Sequence, residues 1–176
     1  MDERIIMVKK IGREAQGENK QLIAMDDVKG REPDKGKMAD HLLNAFKGTI
    51  DDQGEDLKQW QNEVNQFFQG KYGLILKEHS YYHVSLGKIT GSVIVSLFRK
   101  IPLIIYLAVD PASRESGLSY ELMEQVLSSF TDTTYKHIFL VVTLDNISAK
   151  RVYDRLGFEY AGTDWDMILQ KQSFSN

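Results

Sequence analysis

The chain has no cysteine. That excludes disulfides, thiolate zinc sites and a cysteine nucleophile. It has no excess of charge of one sign either: 22 Lys and Arg stand against 25 Asp and Glu, for a formal charge of −3. Such a balance offers no electrostatic basis for binding nucleic acid or an anionic membrane. The opening "MDERIIMVKK" places charges on both sides of a very short apolar run, unlike a secretory signal or a membrane-spanning helix. A cytoplasmic location is the default expectation. No internal repeat, low-complexity tract or long linker is present. With 42% hydrophobic and 27% charged residues over 176 positions, the composition suits one soluble domain spanning 1–176 with a full-sized core.

The pattern changes along the chain. "MDDVKGREPDKGK" (Met25 to Lys37) reads as a mobile loop. A helix is expected from about Met38 to Lys47, with Met38, Leu42, Ala45 and Phe46 on one side and Gly48 ending it. A longer helix is expected to open with Asp51, Asp52, Glu55 and Asp56, to bury Leu57, Trp60, Val64 and Phe67, and to stop at Gly70. The acidic opening suits a solvated helix start, and it also suits a cationic amine. After Gly70 four strand-like runs follow: "YGLILKE", "YYHVSLG", "GSVIVSLFRK" and "PLIIYLAVD". A helix from Leu118, the apolar strand "HIFLVVTL", a short helix in "NISAKRVYDRLGF" and two closing strands, "EYAG" and "DWDMILQ", complete the order. The last strand either pairs across a homodimer or finishes the sheet.

This order predicts a mixed α/β sheet, mostly antiparallel, flanked by helices and containing one parallel pair. The crossover makes the strands ending at Asp110 and Asn146 parallel neighbours. Ligands in such sheets bind at the carboxyl ends of the strands. At the first end lies "DPASRESGLSYELM", a strand stop, an arginine and a helix start with a single glycine, Gly117. The N–H groups from about Arg114 to Ser119 have no intrahelical partners, so with the helix dipole they form an anion site. The same stretch reads equally well as a capped helix start with a surface arginine. It is neither a Walker loop nor a dinucleotide fingerprint, because the required glycines and lysine are missing. At the second end, Asn146, Ala149 and Tyr153 share one side of a helix.

His79 and His83 lie in a strand-like run, where four residues span about 13 Å. That separation is too wide for one ion, and no metal is expected.

Together, "LAVDPASRESGLS" and the segment of form NxxAxxxYxxxGF from Asn146 to Phe158 resemble the GNAT superfamily of acetyl-CoA-dependent N-acyltransferases, whose first motif has the form LAVxPxxRxxGxG/A. The resemblance covers roughly residues 72–170. It implies a GNAT-like fold, with a core sheet and cofactor site over 71–170. The runs Arg4–Lys10 and Met25–Phe68, within an N-terminal region of residues 1–70, would form an acceptor-side lid. It further implies that Leu107, Ala108 and Val109 pair with the pantetheine arm of acetyl-CoA. Arg114, Glu115, Ser116, Gly117, Leu118 and Ser119 would wrap the pyrophosphate, Asn146 would face the pantetheine and acetyl region, and Tyr153 would protonate the departing thiolate. Two departures stand out: Glu115 occupies a position that is usually glycine, and Ser119 replaces a Gly or Ala. The strand Leu103–Tyr106 also lacks the glutamate that some members use as a base. Asp110, Tyr106 and His83 are the nearest substitutes, and each has a simpler structural reading.

The function implied is transfer of an acetyl group from acetyl-CoA to a small-molecule or peptide primary amine. The rival is a non-catalytic acyl-CoA-binding or protein-interaction module with the same fold.

Overall fold

The computed structural model describes residues 3–13, 19, 21–26 and 33–171. The middle of the stretch read as a mobile loop, residues 27–32, lies outside them; Lys35–Lys37 at its end are helical. The strands are β1 (Arg4–Lys10), β2 (Ile23–Ala24), β3 (Leu74–Ile75), β4 (Tyr81–Ser85), β5 (Lys88–Phe98), β6 (Ile101–Val109), β7 (His137–Thr143) and β8 (Glu159–Gly162). The helices are α1 (Lys35–Phe46), α2 (Leu57–Phe68), α3 (Leu118–Ser129), α4 (Ile147–Arg155) and α5 (Trp165–Leu169).

One sheet runs in the order β2-β4-β5-β6-β7-β1-β8, with β3 alongside β5. All its pairs are antiparallel except β6–β7, the parallel pair created by the α3 crossover. On one face α3 and α4 bury Leu118, Leu122, Met123, Val126 and Tyr153 against Val93, Ile104, Leu140 and Val142. On the other, α1 and α2 bury Met38, Leu42, Trp60, Val64 and Phe67 against Ile94 and Ala108. α5 covers Ile6, Leu103 and Phe139 with Ile168. Among the described residues no helix is long and apolar enough to cross a membrane.

Four elements differ from the sequence reading. Arg4–Lys10 is no lid: it lies inside the sheet between β7 and β8, paired with β7 over its whole length. Its alternation is clear only in the folded chain, where Ile5 and Met7 face one layer and Ile6 the other. "DWDMILQ" is a helix and not a strand, because Asp164 accepts the N–H groups of Asp166 (2.8 Å) and Met167 (3.3 Å). Trp165 and Ile168, one turn apart, then meet the same apolar cluster. Among the described residues there is therefore no closing hairpin and no closing strand to pair across a dimer. Of the acidic run only Asp56 opens α2: that helix starts at Leu57 behind a capping box made by Asp56 and Gln59, and Asp51, Asp52 and Glu55 lie in the loop before it. "YGLILKE" contributes only Leu74–Ile75 before a single 3-10 turn at Lys77–His79.

Candidate functional site

β6 and β7 are paired only at Leu103–Phe139 and Ile104–Leu140. Beyond those positions both strands continue, β6 to Val109 and β7 to Thr143, each held on its outer side by β5 or β1. The two strands therefore diverge and present facing edges with no partner strand. The divergence starts at a β-bulge: Val95 pairs with Ile104 and Ile94 with Tyr106, leaving Ile105 without an opposite residue. The bulge reverses the alternation of β6. Ile104 and Leu107 belong to the α3 layer, while Ile105 and Tyr106 both turn toward α1 and α2. Val141, in the middle of an interior strand, is still 37% exposed. Space of this kind between two interior strands accepts an extended ligand that pairs by backbone on both sides.

A cleft of about 1050 Å³ follows this opening. Leu107, Ala108 and Val109 line it from β6, and Val141, Val142 and Thr143 from β7. Arg114, Glu115, Gly117, Leu118 and Ser119 line it from the segment after β6, and Asn146 and Tyr153 from the segment after β7. Of the residues that the resemblance assigned to acetyl-CoA or to the leaving thiolate, only Ser116 is outside the lining; its hydroxyl donates to the Ser113 carbonyl.

The loop between β6 and α3 suits an anion through its backbone. α3 has no side-chain cap, since Gly117 occupies the N-cap position with φ +81°. The first N–H groups of the helix are thus left for a ligand, and the dipole favours negative charge there. Glu115 is in the left-handed region as well, at φ +69°. A side chain is disfavoured there by about 1–2 kcal/mol, which explains physically why glycine suits that position better. The Arg114 guanidinium lines the cleft and reaches across to α1. It donates to the Ala45 carbonyl at 2.7 Å and so satisfies the last turn of α1.

The Asn146 side chain is also committed. Its Oδ1 accepts the Ala149 N–H at 3.2 Å and caps α4, while its Nδ2 donates to Asp51 Oδ2 at 3.2 Å. Asp51 Oδ1 accepts the Thr143 hydroxyl at 2.8 Å. The loop before α2 is thereby tied to the ends of both β7 and α4. Burial, and secondarily the Asp51 carboxylate, push the Tyr153 hydroxyl well above the ordinary tyrosine value. The hydroxyl is therefore kept protonated at neutral pH. Tyr106 is pushed up in the same way by burial, with smaller contributions from Glu63 and Tyr72.

One constellation has no local signal in the sequence. His41 Nδ1 lies 2.6 Å from Asp110 Oδ1 and Nε2 lies 2.9 Å from Ser92 Oγ. The order Ser–His–Asp invites a nucleophilic reading, but His41 is 2% and Ser92 0% exposed, so no substrate reaches the hydroxyl. The three join α1, β5 and the end of β6 just ahead of the anion loop. Of the residues weighed as bases, Asp110 belongs to this network, His83 is bonded to the Thr90 hydroxyl at 2.7 Å, and Tyr106 fills an aromatic cluster. Among the described residues no group of three or more His, Cys, Asp or Glu is placed to hold a metal.

A splayed parallel pair with an uncapped helix start at its end defines a class of fold, and comparison with known proteins identifies it. The model of the acetyltransferase (GNAT) family matches residues 38–158, more than half of the chain, and the chain belongs to that family. A GCN5-related N-acetyltransferase from Sphaerobacter thermophilus is similar in structure, with a TM-score of 0.66 and 16% identity over 90% of this chain and 48% of its own. An acetyltransferase of the GNAT family from Colwellia psychrerythraea has a TM-score of 0.60 and 12% identity, over 92% and 53% of the two chains. The chain thus spans about half the length of each. A chain of the NatC complex, solved bound to Gag peptide and CoA, has a TM-score of 0.51 and 16% identity over 88% of this chain and 85% of its own. At these identities the likeness is one of fold. No curated protein sequence matches the chain.

Proposed function

We propose that the protein is an acetyl-CoA-dependent N-acetyltransferase acting on a primary amine by direct attack in a ternary complex. The observation that carries this reading is the β6–β7 divergence, which leads from an uncapped helix start to a buried tyrosine inside one cleft. Acetyl-CoA supplies the activated acyl group as a thioester. The backbone of Leu107, Ala108 and Val109 pairs with the pantetheine arm, and the N–H groups of residues 114–119 cradle the pyrophosphate. Asn146 holds the wall of the acyl region through its bond to Asp51. Tyr153 lines the cleft and protonates the leaving thiolate; the upward push on its hydroxyl keeps that proton in place until the transfer. α1 and α2 flank the acceptor side. Alignment of the two reactants accounts for much of the rate in such a reaction, so few catalytic groups are needed.

The second reading, a non-catalytic acyl-CoA-binding or interaction module, draws on Glu115 in the loop and on the commitment of Arg114 to Ala45. One experiment separates the two: calorimetric titration with acetyl-CoA, followed by an assay of amine-dependent thiol release. Micromolar binding that is lost when Gly117 carries a bulky side chain, together with turnover, supports the enzyme. Binding without turnover on any amine supports the module, and no binding at millimolar concentration refutes both.

A further inference from the structure

Four carboxylates stand close together ahead of α2, and three of them serve the local backbone. Asp56 caps α2 by accepting the Gln59 N–H at 2.8 Å. Asp52 accepts the N–H groups of Gly48 and Gly54, both at 2.8 Å. Glu55 accepts that of Gln53 at 3.1 Å. Asp51 instead turns into the cleft, onto Thr143 and Asn146. Each of its oxygens accepts one hydrogen bond and retains a second lone pair. Among the described residues no lysine, arginine or histidine forms an ion pair with it. A half-buried carboxylate with capacity to spare and no cation is suited to an incoming ammonium.

The surroundings restrict what the ammonium carries. Ile50, beside Asp51, is 41% exposed and lines the same cleft. Phe46 and Trp60 stack at 5.5 Å, and the Tyr106 ring stands edge-on at 5.9 Å from each, so the three form one apolar wall. Glu63, near the end of that wall, is held by Lys71 at 2.8 Å and the Tyr72 hydroxyl at 2.7 Å, and so offers little to a second cation. Arg4 also lines the cleft, one strand over from Thr143, and repels further positive charge.

We propose that Asp51, Ile50 and the Phe46–Trp60–Tyr106 wall form the acceptor subsite, and that it takes a monocationic primary amine bearing an apolar or aromatic group. This rests on the acetyltransferase reading above and adds its substrate class. The chemistry has two sources, a small aralkylamine or a peptide N-terminus followed by an apolar side chain. The amine docks as the ammonium, loses one proton to solvent and attacks the thioester carbon as the neutral base. Its second proton leaves for solvent as the C–S bond breaks and the thiolate is protonated.

The test titrates the protein saturated with CoA with phenethylamine, with a peptide beginning in leucine, and with spermidine, and repeats the three in the thiol-release assay. The expected result is that phenethylamine or the peptide binds at least about tenfold tighter than spermidine; whichever is tighter names the source. Asp51→Asn and Ile50→Lys should each weaken that amine about tenfold or more, and Ile50→Lys, which touches none of the cofactor contacts, should do so with CoA affinity unchanged. The second variant alters an exposed position, where a substitution leaves the core packing intact. A preference for spermidine, or no effect of Asp51→Asn on amine affinity, overturns the subsite. If spermidine is turned over in preference to both, the subsite fails while the acetyltransferase reading stands; if CoA itself does not bind, both fall.

Discussion

Gly91 on β5 faces the first turn of α3, and replacing it tests whether packing sets the position of the anion loop. A Cβ at Gly91 would sit 2.7 Å from Leu118 Cδ2 and 3.2 Å from both Leu118 Cγ and Leu122 Cδ1. Relief to ordinary contact requires a movement of about 1 Å. Leu118 is 6% and Leu122 0% exposed, so neither has an open rotamer to move into. Overpacking of this kind costs about 1–3 kcal/mol, offset in part by about 0.5–1 kcal/mol from losing a strand glycine. Gly91→Ala should therefore destabilise the fold by about 1–2 kcal/mol. At about 2–4 °C per kcal/mol for a chain of this size, the melting temperature falls by about 2–8 °C. Leu118 opens α3, so the helix N-terminus is displaced with it and acetyl-CoA affinity should fall severalfold. Urea unfolding monitored by the two tryptophans gives the stability, and calorimetry the affinity. The decisive control is Gly91→Ala with Leu118→Ala. Removing the colliding side chain should make the pair less costly than the sum of the single changes by about 1 kcal/mol. Strict additivity, or a neutral Gly91→Ala, would refute the packing argument.

Other outcomes follow from the same geometry. Tyr153→Phe should lower kcat about 100-fold or more with little change in cofactor affinity; an unaltered kcat removes Tyr153 from the chemistry. An acid works only while protonated, and an upward push keeps the hydroxyl protonated past the ordinary value of 10.0. Turnover should accordingly show no alkaline loss from Tyr153 below that pH, and a loss centred near about pH 8 that disappears in Tyr153→Phe would contradict it. His41→Ala leaves Asp110 and Ser92 without their shared partner and should cost about 2–4 kcal/mol in urea unfolding. Glu115→Gly relieves the left-handed backbone and removes a negative charge beside the anion loop. Tighter acetyl-CoA binding at low salt, fading at high salt, is expected by titration, and salt-independent affinity would place the carboxylate away from the phosphates.

Much of this architecture is local and could be read before folding. The apolar periods of α1 and α3, the continuously apolar β7 and the cap at Asn146 depend on residues a few positions apart, and all are present in the structure. So does the crossover that makes β6 and β7 parallel, because its sense follows from strand–helix–strand order. The misread segments failed where a distant surface decided. β1 joins the sheet more than 120 positions away from its partners on β7 and β8, and nothing in a run of seven residues announces that insertion. α5 is short and equally apolar to a strand, and its type was settled by the Asp164 cap and a pocket made by β6, β7 and β1.

The site divides along the same line. The motif residues were legible as residues, while their hydrogen-bond partners were not. Arg114 turns to Ala45 because the last turn of α1 presents a carbonyl that needs satisfying, and Asn146 meets the Asp51 carboxylate 95 positions away. His41 meets partners 51 and 69 positions away. Asp51 is indistinguishable from its acidic neighbours until the fold assigns three of the four to nearby N–H groups and leaves one facing the cleft. Propensity and period act over a few residues and so determined the elements; which side chains converge depends on contacts across the sheet, and only the tertiary structure brings those together.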